Sequence, residues 1–216
     1  MIYASIRDKA GLSSVELETT GGPMLIVLTG IDGSGKTTAA RALVDRARAE
    51  GRNALLLSNH AARRRMSLIS DRFGWKLPPR GADFVETCIR VGNVLVSHAR
   101  ARSFSGLVVM DRHLYCQLAL RRAAGLSRGR LLPWLLEKLP DPDLIIQLDV
   151  DPRRAHERVL ARGTDQEELA ELEAFRAAYR SLPEFADFLG VDANGTPDDV
   201  FAELNQVIAA KECVRV

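Results

Sequence analysis

Apolar residues along this chain fall into two patterns that alternate with each other: short continuous runs, and runs at helical spacing. Met24–Thr29, Ala54–Ser58, Leu107–Met110 and Leu144–Val150 are continuous runs, suited to strands buried on both faces. Phe188–Val191 is a weaker run of the same kind. Between the first two, Thr38–Gly51 is rich in Ala, Leu and Arg and closes on a glycine that can take a left-handed cap. Phe84, Cys88, Val91, Leu95 and Ala99 recur at helical period from 83 to about 102. Helices are also expected around Leu114–Leu120, Leu131–Leu139 and 165–181, and from Thr196-Pro197 onward. Asp151-Pro152 starts another, with Asp as N-cap and Pro at the first helical position. After the second strand, Met66, Leu68, Ile69 and Phe73 suggest a short helix, broken between Gly74 and Gly81 by Pro78-Pro79.

Strands alternating with helices predict an α/β fold: a mainly parallel five-stranded sheet with helices on both faces. Residues 1–23 end in the breaker Gly21-Gly22-Pro23 and are expected to form a poorly ordered extension, although Ser14–Thr19 alternates as an edge strand would. Residues 24–216 then make one domain, a length suited to a single α/β unit.

Composition narrows the function. A net charge of +2 gives no general attraction for nucleic acid. No apolar run approaches the roughly 18 residues of a membrane span, and no basic region precedes an apolar core at the N-terminus. Cys88, Cys116 and Cys213 form no C-x-x-C pair, which suits reduced thiols in a cytoplasmic protein. His60, His98 and His156 have no spacing that suggests a metal site and read as surface or packing residues.

The strongest chemical signal is Gly30-Ile31-Asp32-Gly33-Ser34-Gly35-Lys36-Thr37-Thr38, which fits G-x-x-x-x-G-K-S/T between a strand and a helix. Glycines let backbone N–H groups approach phosphates closely, and the helix start adds its dipole. Lys36 can reach the β- and γ-phosphates of ATP, and the Thr37 hydroxyl can bind Mg²⁺. Asp111 and Arg112 follow the third strand, on the rim where ligands of such sheets bind. There Asp111 suits the organisation of Mg²⁺, and Arg112 suits bridging two phosphates with its planar fork. Arg154, Arg158 and Arg162 recur at i, i+4, i+8 on the helix after the fourth strand. The phosphate loop contains no arginine, so a lid near 152–166 carrying Arg158 and Arg162 is expected to stabilise the transferring phosphoryl.

These segments together, with Pro142–Pro152 and Arg158–Gly163, resemble thymidylate kinase over roughly residues 24 to 210. The D-G-x-G-K-T-T loop and the Asp111-Arg112-His113 triplet are the most specific points of likeness. The resemblance implies a P-loop NTPase fold, ATP as donor, Mg²⁺, small-molecule nucleotides as partners and a homodimer. It implies that Arg90, at the family's fixed distance before the triplet, contacts the acceptor base, with Gln117 near the base and Asp32 between loop and acceptor. It also implies dTMP as acceptor, gripped by Arg112 and by an arginine after the second strand, a place that Arg63 or Arg64 would have to take in this chain. The chain departs from the family at Ser58–Arg63, where T-R-E-P-G-G is usual, at Glu86, where an aromatic residue stacks on thymine, and at Leu120, where some members carry a tyrosine near the sugar. A P-loop kinase of another nucleotide, a nucleoside or another small metabolite is therefore the second expectation. A nucleotide-binding switch is the third, though the chain has no N-K-x-D guanine motif.

Overall fold

The computed structural model describes residues 24–59, 79–163 and 167–215. The N-terminal extension, the edge strand at 14–19, the short helix after Met66 and Arg63 lie outside them. Five strands form one sheet: β1 (Met24–Thr29), β2 (Ala54–Ser58), β3 (Leu107–Asp111), β4 (Leu144–Asp149) and β5 (Leu189–Asp192). Their order is β2-β3-β1-β4-β5, and every pairing is parallel.

Seven α-helices are present among the described residues: α1 (Lys36–Ala49), α2 (Pro79–Arg102), α3 (Leu114–Ala123), α4 (Leu131–Lys138), α5 (Pro152–Arg162), α6 (Leu169–Arg180) and α7 (Pro197–Arg215). A 3₁₀ turn, Pro183–Asp187, precedes β5.

Burial explains which strands the apolar pattern marks most clearly. Central β1 and β3 are buried at every position, because the sheet is covered on both faces. Leu25, Val27, Val108 and Met110 pack with Ala101 of α2 and Tyr115 of α3. Their neighbours along the strands, Ile26, Leu28 and Val109, pack with Ala40, Leu43 and Val44 of α1 and Leu204 of α7. At the sheet edge, β5 buries only Val191, so its sequence signal is weak. The expected helix at 165–181 begins at Leu169, and the first helix starts at Lys36 rather than Thr38. Asp151 caps α5 as its residue type predicts, its side chain accepting from the Arg153 N–H, with Pro152 at the first position.

The register places the site. Leu28 is paired with Asp111, so the phosphate loop leaving β1 and the Asp111-Arg112-His113 segment leaving β3 emerge side by side at the carboxyl rim.

Candidate active site

The loop from Gly30 to Gly35 turns back toward the sheet and delivers Lys36 into the first turn of α1. Two glycines are required for different reasons. Gly35 has φ 89 and stands at the N-cap of α1, in the left-handed region. Gly33 has φ 82, and a Cβ there would lie 2.4 Å from the carbonyl oxygen of Ala155, so the loop packs directly on the backbone of α5.

Lys36 is 4% exposed. Its Nζ donates to the carbonyl of Ile31 at 2.6 Å and to Ser34 Oγ at 3.3 Å, and lies 3.9 Å from Asp32. Burial, and then the nearby Arg112 guanidinium, push its pKa down to about 8, against the opposing pull of Asp32 and Asp111. The ammonium therefore sits in the loop interior with neutral oxygens as its closest partners. Phosphate oxygens are better acceptors for it.

Thr37 Oγ1 donates to Asp111 Oδ2 at 2.6 Å. Asp111 is fully buried, and its other oxygen, Oδ1, has no hydrogen-bond partner. A hydroxyl, a carboxylate and an orphaned carboxylate oxygen beside the phosphate loop fit Mg²⁺, which takes few protein ligands and completes its shell with water and phosphate. Among the described residues no cluster of three or more His, Cys, Asp or Glu could hold a metal.

Arg112 pairs with Asp32 across the loop, its Nη2 donating to Oδ1. Burial alone would raise the Asp32 carboxyl, but Arg112 and then Lys36 hold it well below the usual carboxylate range. Arg112 also has φ 75, the one non-glycine residue with positive φ among the described residues. That conformation costs about 1–2 kcal/mol for a residue with a Cβ.

Arg90 and Gln117, both expected near the acceptor base, bond to each other. Arg90 Nε donates to Gln117 Oε1 at 2.9 Å, and Gln117 Nε2 donates to Thr87 Oγ1 and Asp83 Oδ1. Glu86, where the family has an aromatic residue, accepts from Arg90 Nη2 at 3.1 Å. Arg90 is 1% exposed and its Nη1 is without a partner. Phe84, the nearest ring in sequence, is 68% exposed, and Leu120 packs against the core.

Of Arg154, Arg158 and Arg162 on α5, Arg158 reaches the phosphate loop, and its shorter bonds go to the loop after β5. Arg158 Nη1 donates to Ala193 O and Nη2 to Gly195 O, both at 2.9 Å, with a longer 3.5 Å contact to Gly33 O. Arg154 Nη1 donates to Asn194 O. Arg162 is exposed and donates to the Arg158 carbonyl. Gly30 and Ser34 are buried within the loop and Thr38 is exposed; part of the expected lid, 164–166, lies outside the described residues.

Sequence reasoning missed two arrangements here. His98 is buried, as a packing residue is, and the unforeseen feature is its contact with His113, Nε2 to Nε2 at 2.9 Å. Asn59, just past β2, is fully buried and bonds to the backbone of the Asp111-Arg112 turn. The only sequence signal for either is a polar residue beside an apolar run.

This loop on a parallel sheet, with a carboxylate facing its threonine and an arginine facing its aspartate, defines a P-loop kinase. The thymidylate kinase family model matches residues 93–204. The chain is 31% identical over 210 residues to the thymidylate kinase of Xanthomonas campestris pv. campestris, covering 90% of this chain and 86% of that protein. It is 30% identical over 198 residues to a probable thymidylate kinase of Archaeoglobus fulgidus, covering 86% of this chain and 94% of that protein. A probable thymidylate kinase of Sulfurisphaera tokodaii is 28% identical over 202 residues, with coverage of 87% and 97%. The chain belongs to the thymidylate kinase family.

Proposed function

We propose that this chain transfers the γ-phosphoryl group of ATP to a nucleoside monophosphate, dTMP in the first place, giving dTDP and ADP. The observation that carries the choice of a phosphorylated acceptor is the Asp32–Arg112 pair. A hydroxyl acceptor needs a base to take its proton. Of the two carboxylates at the loop, Asp111 accepts from the Thr37 hydroxyl, and Asp32 is paired with Arg112, which holds its carboxyl well below the usual carboxylate range. A monophosphate is mostly dianionic at neutral pH, its second pKa being about 6, and needs cations rather than a base. The family likeness supports dTMP.

In this reading the loop from Gly30 to Thr38, with Asp32, Gly33, Ser34, Gly35 and Lys36, binds the donor phosphates. Thr37 and Asp111 would hold Mg²⁺, which supplies charge neutralisation on the phosphates. Arg112 orients the acceptor phosphate against the donor, and Arg90 with Gln117 meets the base. Arg63 adds a second acceptor cation, and Arg158 and Arg162 act from α5. Positioning and charge stabilisation account for nearly all catalysis of this kind. The partners are small nucleotides. A cytoplasmic setting suits the free thiols of Cys88 and Cys116, and no helix among the described residues is long and apolar enough to cross a membrane. A homodimer is part of the proposal. Phe84 and Leu95, exposed on α2 and about three turns apart, offer apolar surface for it.

The test is ADP release with dTMP, the other nucleoside monophosphates, and the matching nucleosides. We expect turnover with dTMP and little or none with thymidine. Glu86 paired with Arg90 in place of a stacking ring favours a second outcome, a different monophosphate preferred over dTMP. Activity on nucleosides alone would overturn the proposal.

A further inference from the structure

Arg112 is held in the left-handed region by bonds to the two peptides that flank it. Its N–H donates to Leu28 O of β1 at 3.1 Å. Its carbonyl accepts from Asn59 Nδ2 at 2.8 Å. Asn59 also donates its backbone N–H to Asp111 O at 2.9 Å, and its Oδ1 accepts from Ser97 Oγ of α2 at 2.7 Å. Asn59 is 0% exposed and Ser97 5%.

The orientation of that amide follows from chemistry. A carbonyl only accepts, so the side-chain nitrogen of Asn59 must face Arg112 O. Its oxygen is then turned to Ser97, which has a proton to give. Three elements thus fix one residue through the peptides on either side of it: β1, the end of β2, and α2 behind Asn59. The conformation they fix is one that a residue with a Cβ avoids. It is also the one that turns the Arg112 guanidinium toward Asp32 and the phosphate loop. A strained residue persists only where its surroundings over-determine it.

We infer that Asn59, oriented by Ser97, is a positioning residue for phosphoryl transfer: it holds Arg112 in the left-handed conformation that aims its guanidinium at the reacting phosphates. The inference rests on the role proposed for Arg112 and adds a residue from the segment where this chain departs from its family. Asn59 itself touches no substrate. Its effect passes through the Arg112 peptide.

Asn59→Asp tests this with almost no change of shape. The Ser97 bond survives, while the donor facing Arg112 O becomes an oxygen that repels it. We expect kcat to fall on the order of 10²-fold, the cost of a misplaced group, with little change in KM for ATP. In an Arg112→Ala background the same substitution should cost no more than about twofold, because the group it positions is already gone. A loss of equal factor in both backgrounds, or a normal kcat in Asn59→Asp, overturns the inference. If Asn59→Asp does not fold, Ser97→Ala replaces it, with the same non-additivity against Arg112→Ala expected. A crystal structure of the variant reads the point without turnover. Arg112 leaving positive φ, with its pair to Asp32 broken, supports the inference, and an unchanged Arg112 overturns it. Wild-type enzyme inactive on every monophosphate would instead count against the proposed function, which the crystal structure does not depend on.

Discussion

Thr37 Oγ1 donates a 2.6 Å hydrogen bond to Asp111 Oδ2 across 74 residues of sequence, joining the start of α1 to the end of β3. The bond uses one carboxylate oxygen and leaves the other buried without a partner. A buried orphan acceptor costs about 1–3 kcal/mol, a cost that a cation or its water relieves. Asp111→Asn should therefore lower kcat by about 10²–10³-fold, the scale of losing one electrostatic group. It should also raise the Mg²⁺ concentration needed for half-maximal rate. Rates measured across a Mg²⁺ titration check both. An unchanged requirement with a normal kcat removes Asp111 from the metal site.

Lys36 gives a pH prediction. In the free protein its pKa is lowered to about 8 by burial and by Arg112. Bound triphosphate favours the charged ammonium and raises that value. Above pH 8 the free enzyme has lost the proton that the complex requires, so ATP affinity should fall toward tenfold per pH unit there and be flat below. Calorimetry in buffers of different ionisation enthalpy should report proton uptake on binding at pH 8.5. Lys36→Arg, which stays charged, should remove both effects. Lys36→Ala should abolish turnover.

Much of this site is legible in sequence because local rules set it. The phosphate loop needs only its glycines, Lys36 and the flanking strand and helix, all contiguous. Asp111 is legible because β3 is a central strand whose apolar run ends there. The spacing of Arg154, Arg158 and Arg162 is legible as one helix face, but not the destination of that face. The carbonyls that Arg158 meets belong to residues 193–195, brought near by the pairing of β4 with β5. Glu86 beside Arg90 reads only as a missing aromatic residue, because the Gln117 contact that completes the network comes from α3. Asn59 and the His98–His113 pair are hidden for the same reason: each is a hydrogen bond between elements distant in sequence.

Gly33 and Gly35 look equivalent in the motif, and the structure separates them. At Gly33 a Cβ would strike the backbone of Ala155 at 2.4 to 2.9 Å, which no side-chain rotation relieves. At Gly35 a Cβ meets nothing within 4 Å. Gly35→Ala should cost about 1–2 kcal/mol, the strain of φ 89 alone. Gly33→Ala adds a clash of about 1–3 kcal/mol and should be clearly the worse of the two. Urea unfolding of both variants settles the order.

The His98–His113 pair predicts acid sensitivity. Burial, and then His98, push His113 down to about 3, and burial lowers His98. Unfolded, both titrate near 6.5. Between about pH 3 and 6.5 the unfolded chain therefore binds more protons than the folded one, so stability is lost as pH falls through that window. His113 alone contributes up to about 1.4 kcal/mol per pH unit there. The melting temperature should drop between pH 6.5 and 5, and His113→Gln should flatten that slope while leaving a lower value at pH 7.5. An equal slope in wild type and variant would show that other groups govern the acid response.

Arg158 and Arg162 share a helix face and should behave differently. Arg158 is half-buried, with four carbonyl contacts from residues 33 and 193–195. Its fork ties the loop after β5 to α5 and to the phosphate loop. Hydrogen bonds from a charged donor contribute about 1.5–3 kcal/mol each in favourable cases. Arg158→Ala should therefore lower the melting temperature and raise KM for ATP, by loosening the loop on which the donor rests. Arg162 is exposed, and its contact is a 3.3 Å bond to the carbonyl one turn back. Its exposure leaves that side chain available for the role proposed for it on the phosphates. Arg162→Ala should leave the melting temperature unchanged and lower kcat by about 10²–10³-fold, as expected for a donor that acts in the transition state. Thermal denaturation and full kinetics on the two variants separate the roles. A stable Arg158→Ala with a low kcat, beside an Arg162→Ala of normal rate, would reverse the assignment.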